Sequence, residues 1–265
     1  MNNNILVTGG SGGIGRAVCK YFAQKGYSVF SLDVNLPKQK INNVVDIECD
    51  ITDENCVKSA FQQVSDVADS LKAVINLAGV YRMNSLIEME YDAFKRSYEI
   101  NLYGAFLVNK IFFPLYSTGG RVIIVTSELA TQKIMPFNGI YMMNKSALDK
   151  YAQGLRAELS LLGIKVVTVR PGAIDTGMID VSNQQMYKLC ESSTHYQNNT
   201  KKFYKIMNSV SSKSIAPEKL AKLIERAVTA KRVKNVYTIN NSLLLKAFSL
   251  LPEKMRNLLL KKILK

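Results

Sequence analysis

The chain has 265 residues, 47% of them apolar, enough for one large α/β domain with a full core; no repeat, linker or long Gly/Ser/Pro tract interrupts it. Cys19, Cys49, Cys56 and Cys190 form no Cys-x-x-Cys pair, so no metal site or disulfide framework is indicated, and no apolar run approaches the ~18 residues of a membrane span. The net charge of +14 is uneven: residues 1–199 hold 19 basic and 18 acidic side chains, residues 200–265 hold 16 and 3. The body is therefore near neutral, and the excess points to an anionic surface for the C-terminal quarter.

Met1-Asn2-Asn3-Asn4 runs straight into apolar residues, so no signal peptide is expected and reduced thiols fit a cytoplasmic setting. Asn4–Val7 reads as a short buried strand. It leads into Thr8-Gly9-Gly10-Ser11-Gly12-Gly13-Ile14-Gly15 and then a helix over Arg16–Lys25. Strand, glycine turn and helix form the context of a dinucleotide fingerprint: glycines let the backbone approach a pyrophosphate, and the helix N-terminus stabilises its charge. The next strand, Tyr27–Leu32, ends at Asp33, 18 residues beyond Gly15. A carboxylate there accepts hydrogen bonds from ribose hydroxyls and repels a 2′-phosphate, and neither Gly12 nor Val34 is basic. These residues favour NAD over NADP, with Arg16 the one opposing feature.

Val44–Glu48 reads as a strand closed by Asp50, Asp53–Asp69 as a helix, and Ala73–Asn76 as a strand before Leu77-Ala78-Gly79. Helices around Tyr91–Tyr116 precede a strand at Arg121–Thr126. A long helix over Tyr141–Leu162 precedes a strand at Lys165–Val169. The alternation specifies an α/β fold with a doubly wound parallel sheet.

Tyr141 and Lys145 fall one helical turn apart on one face. A phenol titrates near ~10, and a nearby ammonium lowers that value, which makes the pair a general acid/base for an alcohol oxygen.

With these blocks in order, residues 4–178 resemble the short-chain dehydrogenase/reductase family, single-domain branch. The resemblance implies a Rossmann-type, three-layer α/β/α catalytic domain over residues 1–240, with a substrate lid at about 178–215. It assigns Asn101, Ser127, Tyr141 and Lys145 as catalytic. It assigns NAD(P) to Thr8, Gly9, Ser11, Gly12, Gly13, Ile14, Gly15, Asp33, Asp50, Ile51, Asn76, Ala78, Gly79, Tyr141, Lys145, Pro171, Gly172 and Thr176. Asp50 is similar to the family's adenine contact, Asn76-x-Ala78-Gly79 to its strand-stabilising motif, and Pro171-Gly172 with Thr176 to the nicotinamide cradle. The implied activity interconverts a secondary alcohol and a ketone. Ser127 polarises the substrate oxygen, Tyr141 moves the proton, Lys145 holds the nicotinamide ribose, and Asn101 holds a relay water. Two departures stand out: Ser127 lies 14 residues before Tyr141, one more than the usual spacing, and Asn144 replaces a small residue. The extra residue falls in the Glu128–Met135 loop, which is expected to shape the substrate pocket. In the lid, His195 reads as a surface residue; Tyr187, Tyr196 and Phe203 fit either pocket lining or loop packing.

After a helix at Pro217–Lys231 and a strand at Asn235–Ile239, residues 241–265 form a basic amphipathic extension. Leu251, Met255, Leu258, Leu259 and Ile263 share one face, flanked by Lys254, Arg256, Lys261, Lys262 and Lys265. The pattern suits peripheral contact with a membrane through residues 243–265, and an apolar substrate with it. Packing on a subunit or over the pocket is the alternative. No nucleic-acid module is recognisable. A homo-oligomer through the segments Asn101–Tyr116 and Tyr141–Leu162 follows from the resemblance. The competing function is a non-catalytic NAD(H)-sensing or scaffold protein on the same fold, which the complete Asn101/Ser127/Tyr141/Lys145 set opposes. An epimerase or dehydratase would need a larger C-terminal domain, and a ketoacyl reductase would normally prefer NADP.

Overall fold

The computed structural model describes residues 3–176, 178–209 and 214–265. Seven parallel strands form one sheet: β1 (Asn4–Thr8), β2 (Ser28–Asp33), β3 (Val44–Glu48), β4 (Leu71–Asn76), β5 (Tyr116–Val125), β6 (Lys165–Pro171) and β7 (Val236–Ile239). Their order is β3-β2-β1-β4-β5-β6-β7, so the winding reverses between β1 and β4. At such a reversal the connections leave in opposite directions and open a crevice at the carboxyl ends of the strands.

Alternation of side chains across each strand builds the two outer layers. Ile5, Val7, Ala73, Ile75, Ile123 and Val125 face one side. There they meet α1 (Gly13–Gln24) and α8 (Pro217–Thr229) through Val18, Phe22, Leu220, Ile224 and Val228. Leu6, Phe30, Leu32 and Val74 face the other side, against α2 (Glu54–Ser65) and α4 (Gly104–Phe112). Val122, Ile124 and Val166 pack on α5 (Gly139–Ser160) through Leu148 and Ala152. Asp53 starts α2 by accepting from Asn55 N and Cys56 N, so its side chain satisfies two otherwise orphaned donors.

Between α3 (Tyr91–Tyr98) and α4 the chain makes a π-helical turn, Glu99–Tyr103. β5 starts five residues before the expected Arg121. Tyr116 pairs with Leu71, and the register then shifts so that Arg121 pairs with Ala73. Ser117-Thr118-Gly119-Gly120 has turn composition, which hides the earlier pairing in sequence.

α6 (Met178–Ser192) and α7 (Gln197–Ser209) occupy the region expected to form the lid, of which residues 210–213 lie outside the described residues. Glu88 accepts from the backbone N–H groups of Thr194 and His195 and from the Ser193 hydroxyl, which fixes the turn between the two helices and leaves His195 exposed. Phe203 is buried and Tyr196 packs beside it around Phe137, whereas Tyr187 is exposed.

The extension forms two helices, α9 (Leu243–Leu250) and α10 (Glu253–Leu264). The apolar stripe of α10 lies on its outer face. Met255, Leu258, Leu259 and Ile263 are exposed, while Arg256, Leu260 and Leu264 turn toward the body. Leu264 joins Met83, Met186, Leu189 and Phe203 in a small core of its own. Arg256, expected among the exposed flanking cations, is buried, and its Nε and Nη1 have no hydrogen-bond partner among the described residues.

Asp149 on α5 is clamped by Arg170 on β6, Nε to Oδ1 and Nη2 to Oδ2, both 2.8 Å. Burial raises the Asp149 pKa, but the Arg170 hydrogen bonds and charge outweigh it, and the net shift is downward. The carboxylate therefore contributes stability above the pKa of an unfolded aspartate and loses it as pH falls through the lowered folded value. Asp149→Asn is expected to cost about 3–5 kcal/mol at neutral pH, the range for breaking a buried pair. In urea unfolding the gap from wild type should close as pH is lowered below about 4.

Candidate active site

The crevice at the winding reversal is a cavity of about 570 Å³. Its walls include Gly9, Gly12, Gly13, Ile14, Gly15, Asp33, Asp50, Ile51, Ala78, Gly79 and Thr176, all expected to hold a dinucleotide. The glycine turn fits tightly. Gly9 has φ +71°, and a Cβ on Gly15 would lie 2.0 Å from the Gly9 carbonyl oxygen, so a side chain there displaces backbone. Thr176 reaches across to the turn: a Cβ on Gly13 would meet its Cβ at 3.0 Å.

Thr8, Ser11, Asn76, Pro171 and Gly172 stand outside the wall as its frame. Thr8 Oγ1 accepts from Leu77 N and Ala78 N, both at 3.1 Å, tying the ends of β1 and β4 together. Ser11 N donates to Asp33 Oδ2 at 3.0 Å, while its buried hydroxyl has no partner among the described residues. Asn76 points away, donating to Asn109 Oδ1 at 3.2 Å. Gly172 N donates to Ile239 O at 2.9 Å, which anchors the turn after Pro171 to β7.

Asp33 also accepts from Asn35 N at 3.1 Å, so backbone donors hold its carboxylate at the cavity wall. Arg16 turns elsewhere: Nη1 donates to Asp46 Oδ1 at 2.9 Å and Nη2 to the Gln39 carbonyl. The Asp50 carboxylate, expected to meet adenine, is already engaged. Arg96 Nη2 donates to its Oδ2 at 2.8 Å, and Thr52 donates to its Oδ1. Burial opposes its ionisation, but the Thr52 and Arg96 hydrogen bonds prevail and hold the pKa low.

At the inner end, Gly79 marks where the remaining residues converge. A Cβ there would lie 2.7 Å from Asn101 Oδ1 and 3.2 Å from Lys145 Nζ. Asn101 sits in the π-helical turn, a local widening that recurs at functional sites. Its amide clamps Val80 from both sides, accepting from Val80 N at 3.1 Å and donating to Val80 O at 3.0 Å. Lys145 Nζ donates to Val125 O at 3.3 Å and lies 5.9 Å from the Tyr141 ring centroid. Ser127 follows β5 as the cap of a short 3-10 turn, its Oγ accepting from Leu129 N at 3.1 Å and hydrogen-bonded to Tyr141. Asn144, the departure beside the lysine, is fully buried and donates to Ser97 Oγ at 2.6 Å, fastening α5 to α3.

The expected acidification of the phenol by the lysine does not dominate. Burial pushes Tyr141 up to about 12, opposed by the Ser127 hydrogen bond, and burial pushes Lys145 down to about 8. The ammonium stands near the ring and donates to a backbone carbonyl.

Several residues at this end carried no sequence signal. The Tyr81 ring packs edge-on against Tyr141 at 4.6 Å and lines the cavity. Gln185 on α6 donates to Tyr81 O at 2.7 Å and accepts from Met83 N at 2.9 Å, so α6 clamps the loop that covers the phenol. Arg82 and Arg96 also line the wall. The Gln185 contacts join residues 102 and 104 positions apart, and no local pattern encodes them.

Residues 3–187 match the family model for short chain dehydrogenases. The chain belongs to the short-chain dehydrogenase family. A short chain dehydrogenase of Pseudocercospora fijiensis is 29% identical over 184 residues, covering 64% of this chain and 59% of that protein. Estradiol 17-beta-dehydrogenase 2 of Rattus norvegicus is 31% identical over 191 residues, covering 66% of this chain and 49% of that enzyme. The matched region thus spans about half to three fifths of these relatives' lengths. A short-chain dehydrogenase of Burkholderia cenocepacia, solved in complex with NADP, superposes over 99% of this chain and 97% of its own at 22% identity with a TM-score of 0.72, which shows a shared fold.

The lysine gives a pH signature that needs no substrate. With a folded pKa of about 8 against about 10.4 unfolded, the unfolded chain binds more protons in that interval, so Lys145 makes stability rise with pH there. Tyr141 acts oppositely above about 10, where the unfolded phenol ionises first. Between pH 8 and 10 the stability of Lys145→Met relative to wild type should therefore decline as pH rises, read by denaturant unfolding.

Proposed function

We propose that this protein interconverts a secondary alcohol and a ketone, with NAD as the preferred dinucleotide. The observation that carries this reading is the grouping of Asn101, Ser127, Tyr141 and Lys145 behind Gly79 and Tyr81, which line a cavity also walled by a glycine turn and a carboxylate. The close-packed turn, the unpartnered Ser11 hydroxyl and the Asp33 carboxylate fit a dinucleotide's pyrophosphate and adenosine ribose. A bound nicotinamide supplies the hydride donor or acceptor.

The chain's own residues do the rest. Ser127 donates to the substrate oxygen and fixes it beside Tyr141. A phenol held above its ordinary pKa is protonated at neutral pH, the form that delivers a proton to a developing alkoxide in reduction. Lys145 places its donors for the nicotinamide ribose, and its charge favours the phenolate once the proton has left. Asn101 holds the 80–81 backbone and, with it, a path for a relay water. Burial excludes bulk solvent from all four groups. Tyr141→Phe should lower kcat by about 10²–10⁴ while NADH affinity stays within about twofold. Wild-type NADH binding without turnover on any alcohol or ketone would instead favour an NAD(H)-sensing scaffold.

Asp33 supports NAD because its carboxylate would repel a 2′-phosphate, and Arg16 is engaged by Asp46. By calorimetry wild type should bind NADH more tightly than NADPH. Asp33→Ala should weaken NADH roughly 10- to 100-fold, the worth of one or two charge-assisted hydrogen bonds. Tighter NADPH binding by wild type would reverse the assignment.

An apolar substrate, and peripheral contact with the cytoplasmic face of a membrane through residues 243–265, belong to the same reading. So does a homo-oligomer through α4 and α5, supported by exposed Phe94, Tyr103 and Phe106 around a groove of about 780 Å³ reaching Tyr151.

A further inference from the structure

Outward from the small core of the lid, the α9–α10 pair leaves a broad apolar surface uncovered. Leu243 is 79% exposed, Leu250 85%, Met255 56% and Leu258 68%, with Leu244 and Ile263 exposed beside them. At 100° per residue, Met255, Leu258, Leu259 and Ile263 share the outward arc of α10, with Lys262 among them and Lys254, Lys261 and Lys265 along one edge. Glu253 is the only acidic side chain within 243–265 against six basic ones. Among the described residues no helix is long and apolar enough to cross a membrane.

We propose that the outward face of the α9–α10 pair docks on an anionic lipid bilayer, with both helices lying in the interface and the Tyr81–Tyr141 end of the cavity turned toward the lipid. Three observations choose this occupant. Large apolar side chains rimmed by lysines match the acyl boundary and the anionic headgroups of an interface. A second copy meeting this face by two-fold symmetry would oppose its lysine rows. The pair is also fixed to the catalytic end rather than hanging free. Ser242 N, at the start of α9, donates to Glu128 Oε2 at 2.6 Å, next to Ser127, and Lys133 N donates to Ser249 Oγ at 3.1 Å. Leu260 and Leu264 pack in the cluster that contains Tyr81. The entry of a membrane-dissolved substrate rests on the alcohol–ketone reading; docking itself does not.

The chain has no tryptophan, so single reporters can be placed at will. Leu250→Trp and Leu258→Trp are compared with Val67→Trp, which is exposed at the end of α2. Each is titrated with phosphatidylcholine vesicles, with and without phosphatidylserine. Both tail reporters should shift to the blue and be quenched by brominated lipid, only with the anionic vesicles, while the Val67 reporter stays unchanged. Replacing Lys254, Lys261 and Lys262 by Gln should weaken binding roughly a hundredfold, at ~1 kcal/mol per lysine. Wild-type vesicle binding should fall as salt rises, which tests the charge term with no variant. Silent tail reporters, equal binding to neutral vesicles, or a Val67 shift of the same size would overturn the proposal. So would a tail-reporter shift that grows with protein concentration without lipid, which would assign the face to a second copy. NADH binding measured alongside tells failure of docking from failure of the active-site reading.

Discussion

Everything at this site depends on how closely two strand ends are brought together where the sheet reverses its winding. Thr8 ends β1 by accepting from two consecutive N–H groups after β4. Gly9 then passes against Ala78, and Gly15 passes against the carbonyl of Gly9. The two glycine contacts are backbone on backbone, so neither can relax by a rotamer change. The result is a narrow turn opening on the N-terminus of α1, with the residues after β4 forming the facing wall. The same wall continues through Gly79 to Asn101 and Lys145, so the glycine turn and these side chains are parts of one frame.

Burial sets the chemistry inside that frame. A phenol and an ammonium withdrawn from water both move toward neutrality, Tyr141 to about 12 and Lys145 to about 8. That spreads their two pKa values apart, with the phenol above the ammonium, the reverse of the order an isolated ion pair would favour. The polar groups around them are largely satisfied by backbone: Lys145 by Val125, and Asn101 by Val80 and Ser97. The π-helical turn exists where Asn101 must reach the 80–81 loop, and Asn144 secures α5 to the helix preceding that turn. The departure from a small residue beside the lysine thus adds a buried hydrogen bond without removing a functional group.

What was legible in the sequence follows from how local its cause is. The glycine turn, the strand carrying Ile5–Val7, the Asp33 carboxylate and the Tyr141/Lys145 spacing are fixed by backbone geometry or helical period, and those are written in consecutive residues. The inward face of α8 was equally legible, because Ala221, Ile224 and Val228 had a sheet to meet. For α10 the same periodicity identified an apolar stripe but not its partner, and the structure turns that stripe outward. Periodicity defines a face; what covers the face is decided elsewhere in the chain. Tyr81, Gln185 and Arg82 were invisible for the same reason, and the direction of the Tyr141 shift was misread because burial is a tertiary property.

The extension and Ser127 are physically linked through one buried carboxyl. Glu128 adjoins Ser127, its pKa is raised by burial, and it accepts from the first N–H of the α9 cap. Its other oxygen faces Gly172, where a Cβ would lie 3.0 Å from Oε1. A rigid shift of α9 therefore bears on the turn that caps Ser127 and on the turn after Pro171. Through Leu260 and Leu264, a shift of α10 bears on the cluster holding Tyr81. Tyr81 in turn rests on the phenol and is clamped by Gln185 on α6. The basic extension thus packs behind the cavity wall, and a shift of its outer face would be passed to the Tyr81–Tyr141 pair through these contacts.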